Sequence, residues 1–212
     1  MNIFMKNMLK RYPLLEKCSI DIEKALALCC KSLKNNGTIF ICGNGGSAAD
    51  ADHIAGELLK GFLLKREISE NIKNKLKESF GEEGNFIGER LQSGIKAISL
   101  TGHPALSTAF ANDVNASLIF AQQLYALGNN GDIVIGLSTS GNADNVKKCF
   151  QVAAVKGIKS ILLSGSDGGK CAKIADLSII VPEKETYIVQ ELHLPIYHTL
   201  CLMLEDHFYG QK

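Results

Sequence analysis

The sequence predicts an α/β fold, a doubly wound five-stranded parallel sheet flanked by helices. Three observations carry this. Apolar, β-rich runs recur at 38–42, 97–100, 133–137, 160–163 and 177–181, and helical patterns separate them. One strand, small-residue loop and helix unit also occurs twice, since residues 37–50 align without a gap on 131–144. Strands that are apolar throughout, with no alternation, are expected where helices cover both faces of a parallel sheet.

The elements follow in order. Phe4, Met5, Met8, Leu9 and Tyr12 fall at helical spacing until Pro13 ends the pattern, and a second helix is expected from Ser19 to about Asn35, so residues 1–36 form N-terminal helices. Gly37 opens the first strand. Helices are then expected at 46–63, 114–127, 142–156, 168–175 and 186–208. Over 64–90 the composition shifts to Lys, Arg and Glu with Gly81 and Gly84, which predicts an inserted helical excursion with a solvated face and not a linker. The 212 residues are read as one domain.

Composition excludes several function classes. With 46% hydrophobic and 21% charged residues the chain is globular and not disordered. Its 23 Lys and Arg against 22 Asp and Glu leave a formal charge of +1, so no bulk field recruits nucleic acid or an anionic membrane, and an anionic ligand needs a local site. Seven cysteines without a C-x-x-C pair read as buried reduced thiols, which argues for the cytoplasm. No apolar run is long enough to span a bilayer, and the N-terminus lacks the pattern of a signal peptide.

Two loops follow buried strands. Ser138, Thr139, Ser140, Gly141 and Asn142 precede a helix, where hydroxyls and free N–H groups suit a dianionic phosphate; the alternative is that they cap that helix. Gly43-Asn44-Gly45-Gly46-Ser47-Ala48 satisfies G-x-G-x-x-A and so admits a dinucleotide reading. That reading also wants a carboxylate at the end of the second strand, which instead ends Leu100-Thr101-Gly102-His103. No nucleotide cofactor is therefore expected, and Asn44 and Ser47 are assigned to sugar hydroxyls.

Titratable groups cluster in two helices. His53 and Glu57, four apart, share a face and form either a helix-stabilising pair or half of a site for a metal or for proton transfer. The last helix carries Gln190, Glu191, His193 and His198 around Pro195, which should kink it. Gln190 and His198 would lie roughly 12 Å apart in a straight helix, so they serve one site only through a kink or from different subunits. Asn112 and Asp113 could bind a sugar or cap a helix.

GNGGSAADADHIAGEL at 43–58, FANDV at 110–114, LSTSGNADNV at 137–146, SGSDGGK at 164–170 and QELHLPIYH at 190–198 together resemble the phosphoheptose isomerases of the sugar isomerase (SIS) superfamily. The resemblance spans nearly the whole chain from residue 37. It implies a flavodoxin-like SIS domain, a homotetramer with active sites at subunit interfaces, and conversion of sedoheptulose 7-phosphate to D-glycero-D-manno-heptose 7-phosphate through an enediol. By motif position Asn44, Gly45, Gly46, Ser47, Glu57, Asn112, Asp113, Ser138, Thr139, Ser140 and Gln190 would hold the substrate. Glu57 and His198 would move the protons, and His53, Glu57, Gln190 and His198 match positions where some members bind zinc. Three features depart from the family pattern: Ala143 stands where a phosphate-binding Ser is usual, the 64–90 excursion is long, and Thr101-Gly102-His103-Pro104 replaces a more acidic stretch. The alternatives are an isomerase of another phosphosugar and a non-catalytic module that senses a phosphosugar or binds a protein.

Overall fold

A computed structural model describes residues 2–210. Helix α1 (Ile3–Arg11) starts where the Asn2 side chain accepts the Phe4 N–H at 2.8 Å and stops before Pro13, whose 3-10 turn Pro13–Cys18 leads into α2 (Ser19–Lys34). The chain continues through β1 (Ile39–Gly43), α3 (Gly46–Leu59), α4 (Glu70–Arg90), β2 (Ala97–Ser99), α5 (Pro104–Phe110) and α6 (Ile119–Leu127). It ends with β3 (Ile133–Leu137), α7 (Asp144–Lys156), β4 (Lys159–Ser164), α8 (Gly169–Ala172), β5 (Leu177–Ile180) and α9 (Thr186–Tyr209).

The five strands are parallel in the order β2-β1-β3-β4-β5. Successive side chains of a strand point to opposite faces, so the apolar strands divide between two cores. Ile39, Ile41, Ile133 and Ile135 pack with residues of α1, α2, α3 and α9, while Phe40, Cys42 and Val134 pack with α6 and α7. Each such buried side chain contributes about 1.5–3 kcal/mol, which is why both helical layers hold to the sheet. Gly136 lies under Phe150 so closely that an added Cβ would stand 2.6 Å from the ring, and packing of α7 depends on that glycine.

Several expected boundaries move. The helix expected over 46–63 ends at Leu59, because Lys60 is extended. The helix expected over 114–127 begins only at Ile119. Ahead of it stand α5, which Pro104 starts, a π-helical turn at Ala111–Asn115 and a 3-10 turn at Ala116–Leu118. Asn115 breaks the run, its side chain accepting the Ser117 N–H at 2.9 Å in place of a helical bond. The helix expected over 168–175 shrinks to α8, and α9 runs continuously through Pro195.

In the 64–90 stretch, Gly81 leaves the helical region (φ 58°, ψ −130°) and folds α4 back on itself, with Gly84 against the Leu76 backbone. The face is not wholly solvated, since Arg66 is buried. All seven cysteines are free and buried, and burial pushes the thiols of Cys18 and Cys201 up to about 11 and about 12, which makes them poor nucleophiles at neutral pH. Among the described residues no helix is long and apolar enough to cross a membrane.

Candidate active site

The sequence repeat becomes a structural one. Residues 37–50 align on 131–144 with an offset of 94, and the β1–β3 register has the same offset: Ile39 faces Ile133 and Gly43 faces Leu137. The loops after β1 and β3 therefore lie side by side at the carboxyl ends of neighbouring strands. The order β2-β1-β3 reverses direction there, and a doubly wound sheet opens its ligand crevice at such a point.

A cleft of about 480 Å³ fills the crevice. Its walls are Asn44, Gly45, Gly46 and Ser47 from the first loop, Ser138, Thr139 and Ser140 from the second, and Thr186 and Gln190 from α9. Gly45 takes a backbone conformation (φ 56°, ψ −123°) that L side chains avoid, and this turns the chain into α3. A Cβ at Gly46 would meet Gln190 Nε2 at 2.7 Å, so the missing side chain is what lets the amide of Gln190 lie against the loop. Asn44 and Asn145 exchange two amide hydrogen bonds, 2.9 and 2.8 Å, which ties the first loop to the start of α7.

Among the described residues no Lys or Arg lines this cleft. An anion there would be held by hydroxyls and by the amino ends of α3, α7 and α9, none of which receives a side-chain cap. The capping alternative has a limited part: Ser138 Oγ accepts the Ala143 N–H at 3.4 Å, and Ser140 Oγ accepts the Asn142 N–H at 3.3 Å.

Helices α3 and α9 pack in parallel, Gly46 near Gln190 and His53 near Tyr197. About two turns along from the cleft this pairing assembles a second group. His53 Nε2 is 3.4 Å from Glu57 Oε1 and 3.4 Å from His198 Nε2. On the other side of the ring, His53 Nδ1 lies 3.1 Å from the hydroxyl of Tyr197, which donates to Asp50 Oδ1 at 3.0 Å. With the Tyr197 proton given to Asp50, its oxygen accepts from His53 Nδ1–H, and the Nε2 edge of the ring faces Glu57 and His198. Burial and the neighbouring His53 hold His198 below the ordinary imidazole range, so it is neutral at pH 7 and able to take up a proton. Burial raises Asp50 and Tyr197.

Spacing alone did not disclose Asp50, Tyr197 or Phe62, whose ring centroid lies 5.5 Å from that of His198. Asp50 does share a helical face with His53 and Glu57, which is the one signal that pointed to it. Asn112 and Asp113 are exposed, bonded to each other at 2.9 Å, and stand off the cleft. Of the four residues matched to zinc, Gln190 is at the cleft, roughly 12 Å of helix from His198. Among the described residues no group of three or more His, Cys, Asp or Glu side chains is arranged to hold a metal ion. The four-residue zinc set therefore does not fit one ion within a protomer. His103 bonds to Gln123 Oε1 at 2.8 Å, away from the cleft.

Known proteins resemble the chain along most of its length. A model of the SIS domain matches residues 4–78. A phosphoheptose isomerase of Helicobacter pylori is 38% identical over 194 residues, covering 92% of this chain and 88% of the relative. One from Rhodospirillum rubrum is 36% identical over 189 residues, covering 89% and 87%. A solved phosphoheptose isomerase from Neisseria gonorrhoeae superposes with a TM-score of 0.73 at 31% identity, covering 94% of each chain.

Proposed function

The chain belongs to the phosphoheptose isomerase family, and on that footing we propose that it converts sedoheptulose 7-phosphate to D-glycero-D-manno-heptose 7-phosphate. It is an enzyme, an isomerase of phosphosugars. Moving a carbonyl from C2 to C1 transfers one proton between neighbouring carbons and one between their oxygens, through an enediol. That requires a base over the carbons, an acid–base group at the oxygens and a handle that fixes the chain.

In this reading Glu57 takes the C1 proton and returns it to C2, while His198 exchanges the proton between O1 and O2. Ser138, Thr139, Ser140 and the helix ends hold the phosphate, and Asn44, Gly45, Gly46, Ser47 and Gln190 hold hydroxyls. The observation that carries the reading is the meeting of a carboxylate and two imidazoles at 3.4 Å spacings along the same helix pair that opens the cleft. From Gly46 to His53 is about 10 Å of helix, comparable with the span from the phosphorylated end to the carbonyl end of an extended seven-carbon chain. Because the zinc set does not fit within one protomer, no step is assigned to an ion.

Purified protein should turn over sedoheptulose 7-phosphate faster than pentose or hexose phosphates in parallel assays. A preference for a shorter sugar would overturn the substrate and leave the reaction type standing. Tight binding without turnover of any of them would point instead to a sensing module. We further propose a homotetramer with shared sites, because Asn112 and Asp113 stand off the cleft of their own protomer. A monomer in sedimentation experiments would remove that part.

A further inference from the structure

We propose that the buried ion pair of Arg66 and Glu205 is a positioning device for the isomerisation, holding the carboxyl end of α3, and so Glu57, in place against His198 on α9. This rests on the reading of Glu57 and His198 as the proton-transferring residues. Arg66 Nε donates to Glu205 Oε1 at 2.7 Å, with the side chains 0% and 2% exposed. A buried pair survives desolvation only when its remaining hydrogen-bonding capacity is met, and the groups that meet it here are informative. Arg66 Nη1 donates to the carbonyl of Leu58 at 2.7 Å and Nη2 to that of Glu57 at 3.3 Å. These belong to the last turn of α3, whose carbonyls have no partner within the helix.

The Glu205 carboxylate accepts the N–H groups of Phe62, Leu63 and Leu64 at 2.7, 2.8 and 3.2 Å. Phe62 is the residue whose ring packs on His198, and Glu205 stands two turns beyond His198 on α9. The Arg66 guanidinium also lies 5.0 Å over the ring of Tyr209. A helix end can be satisfied by water or a glycine, and an apolar replacement of a buried pair is often as stable. What those substitutes lack is a rigid fork that joins the backbone of Glu57 to the wall of His198.

Arg66→Lys keeps the charge and loses the fork. In the folded full-length protein we expect kcat on sedoheptulose 7-phosphate to fall roughly ten- to hundredfold, since displacements of about 1 Å at reacting groups have effects of that size. KM should stay within a factor of about two, because the residues that bind the substrate lie on the loops after β1 and β3 and at the amino ends of α3 and α9, away from the pair. Glu205→Gln should give the same split. In a Glu57→Gln background, Arg66→Lys should add little further loss of rate. A lower melting temperature with wild-type kcat, in whichever variant folds, would make the pair purely structural and overturn the proposal; so would failure of both variants to fold. Glu57→Gln run alongside separates the two ideas. If it retains full turnover, the assignment of the base fails; if it is inactive while Arg66→Lys and Glu205→Gln turn over normally, only the positioning role fails.

Discussion

Glu57→Gln is expected to lower kcat for the isomerisation about a hundred- to ten-thousandfold, the range found when a general base is removed. The amide has nearly the shape of the carboxylate and cannot accept the C1 proton. Only 14% of the Glu57 side chain is exposed, and its two oxygens have different neighbours: Oε2 meets Lys60 Nζ at 2.9 Å and Oε1 faces His53 Nε2 at 3.4 Å. Lys60 is exposed, so its pairing adds little to stability, and the variant should melt within a few degrees of the parent. KM should change little, since the phosphate and hydroxyl contacts come from the loops after β1 and β3 and from Gln190 on α9, which the substitution leaves in place. Two measurements check this: initial rates, and loss of isotope from C1 in labelled substrate. A Gln variant that retained turnover within about threefold and still exchanged the C1 proton would assign the base elsewhere.

How far the sequence discloses this arrangement depends on the range of the interaction. The strands were legible because a segment covered on both faces is apolar throughout, as β1 and β3 are, with all five residues of each buried. The gap-free alignment of 37–50 on 131–144 turned out to share its offset with the strand pairing, so the crevice between the loops was implicit in the repeat. His53 and Glu57 were visible because four residues along a helix bring side chains together. Contacts between distant segments left no such trace. Arg66 and Glu205 are 139 residues apart, Asp50 and Tyr197 147 apart, and which of the many charged and polar residues pair is settled by how α3 and α9 pack. The helix expected from 114 begins only at Ile119, because the π turn and the 3-10 turn ahead of it are each too short to show a period of their own.

His193 leads to the second large effect, a loss of stability in mild acid. The residue is fully buried on α9, and neither ring nitrogen has a hydrogen-bond partner among the described residues. Burial disfavours the charged ring and lowers its pKa from 6.5 to about 4, a shift that the nearby backbone of Ser164 offsets only in part. Between those values the unfolded chain binds a proton that the folded one refuses, so stability rises with pH across the window and is fully present above about 6.5. Lowering the pH to about 4 should therefore cost roughly 3 kcal/mol. Carboxylates contribute in a separate window: Lys65 and Lys73 hold Glu67 at about 2, and its contribution is lost only as the pH falls from 4.5 toward that value. His193→Gln cannot titrate, and denaturant midpoints measured between pH 7 and pH 4 should fall steeply for the parent and far less for the variant. Parallel declines in the two proteins would show that the ring finds a partner or a proton in the folded state. They would also place the source of acid sensitivity outside α9.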